Sequence, residues 1–153
     1  MTPAETNQVA KKLFVRGHAM NAKMVGRSAA DIADSAGIAI PPGTKVLLGE
    51  QQGVGEEYPL SYEKLTTVLA FYTVKDWQEA CDLCIKLLNN GGVGHSLSIH
   101  TETPEMVMKF TEKPVFRILV NTASSQGGVG ASTAPQPLHW GAVLGAEVQP
   151  PIM

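Results

Sequence analysis

Between Thr67 and Asn121 three short strand-like runs are separated by two stretches of helical period, and this alternation restricts the fold more than any other feature. The runs span residues 67–74, with VLAFY at their centre, residues 96–100 and residues 116–121. The first intervening stretch opens with Asp76 and Glu79 at capping-box spacing. It continues with Trp77, Ala80, Cys84 and Leu87 or Leu88 at helical intervals, and Asn89-Asn90-Gly91-Gly92 stops it. The second is shorter and opens at Thr103-Pro104. Strands alternating with helices imply βαβ units, so the expected fold class is α/β, a mostly parallel sheet with flanking helices. The run at 116–121 is apolar but for Arg117 and the closing Asn121, which predicts a strand covered on both faces.

Upstream, Thr2-Pro3 places an N-cap before a proline at the first helical position, predicting a helix to about Arg16 with Val9, Leu13 and Phe14 on its apolar side. A second helix is expected from about Ala22 to Ser35, with Met24, Val25, Ala29, Ile32 and Ala33 on one face and Gly37 as its stop. Pro41-Pro42-Gly43 then turns the chain into an apolar strand at 45–49. Beyond about Thr133 neither period persists. Pro135, Pro137, Pro150 and Pro151 interrupt that stretch, so irregular structure is expected over it.

A length of 153 residues fits one domain of ordinary size. Twelve basic against fourteen acidic side chains give a formal charge of −2, and the clustered positive charge needed for non-specific nucleic-acid binding is missing. No apolar run approaches the ~20 residues of a membrane span. The first residues are polar and acidic, unlike a signal peptide, and two cysteines do not make a disulfide framework. The expected setting is cytoplasmic.

Four features invite chemistry. Cys81 and Cys84 form a CxxC, but a redox pair belongs at a helix N-terminus, where the dipole lowers the thiol pKa. Here a full turn precedes Cys81, and core packing is the expected role. The glycine-rich stretch 124–130 follows a strand, yet it lacks the lysine of a Walker loop and the third glycine of a dinucleotide loop. A close backbone turn explains it as well as a phosphate cradle does. His18, His95, His100 and His139 share no metal-ligand spacing, so no metal site is expected. His95 opens a strand after Gly91-Gly92-Val93-Gly94, where a loop histidine can be a donor or base, and Glu63 by itself reads as a solvated charge.

Four stretches together resemble one family, the CoA-acylating aldehyde dehydrogenases of the acetaldehyde and propionaldehyde type. They are VGRSAADIADSAGIAIPPGTKVLLGE, PLSYEKLTTVLAFYTVKDWQEA, NNGGVGHSLSIHTE and PVFRILVNTASSQGGVG, in family order and spacing across residues 1–133. EKL-x-x-VLA and GG-x-GH are the distinctive segments. The resemblance implies the catalytic domain of that fold, downstream of its nucleophilic cysteine. The parent chemistry takes a small aldehyde, NAD and CoA to acyl-CoA and NADH. It also implies that Glu63 matches the glutamate that contacts the nicotinamide ribose, and that His95 matches the histidine of the thioester-forming half-reaction. Thr67 and Ala123 stand where the family usually has proline, which loosens the backbone without deleting a reactive group.

Neither the nucleophile's surroundings nor the NAD-binding domain is matched. The chain is therefore expected to be a fragment, inactive alone, holding neither NAD nor CoA tightly and self-associating through uncovered strands. The alternative is a stand-alone module that pairs with a separate NAD-binding subunit. From about Ala134 the sequence departs from the family. Joining the last base of each codon to the first two of the next permits the string PALTLGCGAWGGSSTSDN, the family's continuation. Residues 134–153 are accordingly read as an irregular, out-of-frame tail on a partial catalytic domain at 1–133.

Overall fold

A computed structural model describes residues 1–91, 93–112 and 115–123, together with the backbone of Val143–Glu147. The chain divides into two compact units, Met1–Thr73 and Val74–Met153.

The first unit begins with a complete capping box. The Thr2 hydroxyl accepts from the Glu5 amide at 3.3 Å, and the Glu5 carboxylate accepts from the Thr2 amide at 2.7 Å. Helix α1, Pro3–Leu13, stops short of Arg16 because Phe14 turns extended and bridges antiparallel to Met20. The single helix expected from Ala22 to Ser35 is broken. A 3-10 turn, Ala22–Met24, precedes α2, Ala29–Ala36. The cause lies in two residues: Gly26 adopts φ +69°, and Ser28 starts a fresh capping box with Asp31. Gly37, at φ +70°, closes α2 as its sequence position suggested.

Strand β1, Leu47–Glu50, pairs in parallel with β2, Val68–Phe71. Leu47 lies opposite Val68, and both face a core made with Val9, Leu13, Ile32 and Leu60. Alternation turns the next residues outward. Leu48, Leu69 and Phe71 are 49%, 50% and 51% exposed, so the outer side of this sheet is apolar. Gly49 is the point of closest packing on the inner side. A Cβ there would lie 2.6 Å from Leu60 Cδ1 and 3.0 Å from Thr6 Cγ2.

In the second unit, α3 spans Trp77–Gly91. Asp76 accepts from the Glu79 amide at 2.8 Å, but the Glu79 carboxylate reaches back to the Lys75 amide at 2.9 Å, one residue earlier than a standard box. Strand β3, Ser96–His100, is followed by α4, Pro104–Thr111, and by β4, Arg117–Val120, which pairs in parallel with β3. Cys81, Cys84, Leu97, Ile99 and Phe110 form the core. Double coverage falls on β3, with Leu97, Ser98 and Ile99 buried, and not on residues 116–121, where Phe116 and Val120 are exposed. Position explains the difference, since β3 is the central strand.

The third strand of that sheet is β5, Val143–Glu147, parallel to β3 on the side away from β4. It lies in the stretch where irregular structure was expected. No proline interrupts residues 138–149, and VLGA is apolar enough to pair. Among the described residues no helix is long and apolar enough to cross a membrane.

Gly49→Ala tests the inner packing. Leu60 is fully buried and its Cδ1 would have to shift within the core, so the variant should lose ~1–3 kcal/mol, read as a lower urea midpoint. An unchanged midpoint would mean that the sheet and the Leu60 turn are not in contact.

Candidate functional site

Glu63 lies in the first unit, on the connection that leaves β1 and enters β2. The residues around it are held one by one. A 3-10 turn, Pro59–Ser61, buries Leu60 and Ser61, and the Ser61 hydroxyl accepts from the Gly55 amide at 3.0 Å. The Tyr62 ring meets Phe14 edge-on at 6.5 Å and stacks on His18 at 3.8 Å. Leu65 accepts from the Gly26 amide through its carbonyl at 2.8 Å. Further back, the Tyr72 hydroxyl donates to the Gly53 carbonyl at 3.1 Å, and burial pushes its phenol up to about 12. Between these anchors Glu63 is exposed.

Lys64 points the other way. Its Nζ donates to the carbonyl of Leu60 and, at 2.8 Å, to that of Tyr62. Burial lowers its ammonium to about 8, and the neighbouring Glu63 carboxylate opposes that shift.

His95 lies in the second unit, immediately before β3, and is half-buried. Its Nε2 is 3.3 Å from the Gly91 carbonyl in the last turn of α3. A carbonyl can only accept, so in the neutral ring Nε2 carries the hydrogen and Nδ1 is the acceptor. The His95 carbonyl in turn accepts from the Phe116 amide at 3.2 Å, which ties the start of β3 to the approach to β4. At the far end of β3, Asn121 takes φ +50° and clamps Thr101 twice, at 2.9 Å each way. Glu63 and His95 are thus presented by different units, each on a loop that enters a strand.

Cys81 and Cys84 are buried reduced thiols in the core stripe of α3, as their place in the helix suggested. Burial, with Cys81 adding a second contribution, pushes Cys84 up to about 11, the reverse of what a reactive thiolate needs. Among the described residues no cluster of His, Cys, Asp and Glu could hold a metal ion. The glycine-rich stretch 124–130 lies outside the described residues. Lys64, Tyr62 and Asn121 carried no sequence signal that set them apart; a lysine beside a glutamate reads as surface charge, and its burial shows only in the fold.

No protein-family profile matches the chain. The bifunctional aldehyde-alcohol dehydrogenase AdhE of Escherichia coli (strain K12) is 40% identical over 122 residues, 77% of this chain and 14% of that protein. The sulfoacetaldehyde dehydrogenase of Acholeplasma sp is 38% identical over 113 residues, 73% of this chain and 23% of that one. Among solved structures, an acetylating aldehyde dehydrogenase from Geobacillus thermoglucosidasius superposes with a TM-score of 0.80 at 44% identity, covering 86% of this chain and 29% of the other.

The fold and its loops therefore define an α/β segment of the aldehyde dehydrogenase type. More narrowly, the chain is a relative of the CoA-acylating aldehyde dehydrogenases and matches one segment of their length. It spans about a seventh of the bifunctional enzyme and less than a third of the acetylating one.

Thiol alkylation tests the assignment of the cysteines to the core. Iodoacetamide near neutral pH should leave both thiols unmodified in the native protein and label both in urea. Rapid labelling of the native chain would place them at a surface instead.

Proposed function

We propose that this chain contributes Glu63 and His95 to the catalytic centre of a CoA-acylating aldehyde dehydrogenase completed by residues outside it. The parent reaction is aldehyde, NAD⁺ and CoA giving acyl-CoA, NADH and a proton. The observation that carries this reading is the 40% identity over 122 residues to an aldehyde-alcohol dehydrogenase, on a chain that holds both distinctive motifs. The side chains suit those roles. Glu63 offers an exposed carboxylate, an acceptor for the two ribose hydroxyls of a nicotinamide nucleotide. NAD, when bound, supplies the hydride acceptor. His95, with Nε2 engaged by Gly91, presents Nδ1 as the base for a CoA thiol attacking an acyl group.

Covalent aldehyde oxidation also needs an accessible thiolate, and the two thiols of this chain are buried in a helix stripe. Purified alone, the chain should give no aldehyde- and CoA-dependent absorbance rise at the NADH wavelength. A steady rise, abolished by Glu63→Gln or His95→Ala, would overturn its dependence on residues elsewhere.

A second reading, a module that pairs with a separate NAD-binding subunit, is favoured by the outer side of the β1–β2 sheet. Parallel sheets are ordinarily covered on both faces, and here Leu48, Leu69 and Phe71 are half exposed. The same surface is the seat of self-association in the isolated chain. Sedimentation velocity should show mass rising with concentration for the wild type and a concentration-independent monomer for Leu69→Lys/Phe71→Glu. A wild-type monomer at all concentrations would remove self-association from the account.

A further inference from the structure

The connection between β1 and β2 has no α-helix, yet it must present Glu63 in a fixed place. Its backbone needs partners that a helix would have provided from within. Ser61 and Tyr62 have their amides on the Tyr58 and Pro59 carbonyls, at 2.8 and 3.2 Å, which closes the 3-10 turn before Glu63. The carbonyls of Leu60 and Tyr62 are bonded from outside the turn, both by Lys64 Nζ. Glu63 is the residue spanned by that bridge: Tyr62 precedes it, Lys64 follows it, and the lysine side chain folds back across the backbone between them. Its own carboxylate stays outside.

We infer that Lys64 is a positioning residue, whose bridge to the Leu60 and Tyr62 carbonyls locks the backbone that presents Glu63. The inference rests on the proposed cofactor role of Glu63 for its functional meaning, while the lock itself is a property of the loop. Two further observations agree with it. The side chain is withdrawn from water far enough to lower its ammonium to about 8, so the amine is committed inward. The Tyr62 ring is held between Phe14 and His18, so the carbonyl that Lys64 grips belongs to a residue already fixed.

The test uses the 153-residue chain, isotopically labelled, as wild type, Lys64→Met and Lys64→Arg. Methionine keeps the apolar stem and removes the donor; arginine restores donors. Amide exchange at Ser61 and Tyr62 should accelerate about tenfold in Lys64→Met, with α1 amides such as Leu13 unchanged, and return to within about threefold of wild type in Lys64→Arg. Uniform acceleration across the first unit, or none at Ser61 and Tyr62, would overturn the lock. A second reading uses oxidised NAD as probe and the Glu63 side-chain carboxyl resonance as reporter. The NAD-induced shift should be lost in Lys64→Met and regained in Lys64→Arg, a rescue that a generic packing role does not produce. If the wild-type chain shows no shift even at millimolar NAD, Glu63 does not meet the cofactor without residues outside this chain, and the exchange pattern alone decides the lock.

Discussion

Parallel strands cannot be joined by a tight turn: the chain must travel back the length of the first strand before it can enter the second. Both units meet this requirement, in different ways. Between β3 and β4 the return is α4, which satisfies its interior backbone groups internally and buries Phe110 against Leu97 and Ile99. Between β1 and β2 it is the stretch 51–67, with one 3-10 turn and otherwise irregular backbone. Long irregular connections are uncommon inside compact units, because each buried amide and carbonyl must find a partner separately. Here Gly53 is served by Tyr72, Gly55 by Ser61, and Leu60 and Tyr62 by Lys64. The candidate site in this unit is therefore a consequence of how the crossover is stabilised.

That division of labour decided what could be read from the sequence. Elements announced by local chemistry were readable: the Thr2 cap with Pro3, the Gly37 stop, the Thr103-Pro104 opening and the bounds of β3. The broken second helix was not, although its signals were present. Ser28 and Asp31 stand at capping-box spacing, but the apolar period runs through them from Met24 to Ala33 and masks the break at Gly26. The burial of β3 was hidden for a related reason. Ser98 looks like the polar half of an alternating strand, yet its hydroxyl donates to the Thr122 carbonyl at 2.8 Å and so can be buried between Leu97 and Ile99. Residues 116–121 showed the opposite pattern, mostly apolar character on a strand beside the central one.

Glu63 and His95 belong to a different category. Nothing in their composition or spacing sets them apart from a surface carboxylate and a loop histidine, and only the EKL and GG-x-GH motifs single them out. Local physics does explain how each is held. His95 is tethered through Nε2 to the end of α3, which orients its ring, and through its carbonyl to Phe116, which holds its backbone. Glu63 is held only through its neighbours. The role proposed for it depends on backbone placement, and a sequence motif records the side chain without recording what fixes the backbone.

The energetics of Lys64 sharpen this point. An ammonium moved out of water costs several kcal/mol, and even a good set of partners does no more than offset that. A methionine or leucine would fill much the same volume and avoid the penalty. The lysine therefore contributes little through burial. What an apolar side chain cannot supply is a donor reaching two carbonyls on either side of Ser61, from a position one residue beyond Glu63. The lowered ammonium and the opposing pull of the Glu63 carboxylate describe the same compromise: desolvation works against the charge, while the adjacent carboxylate favours it. Glu63 thus helps keep charged the group that fixes its own backbone, and the two residues act as one device.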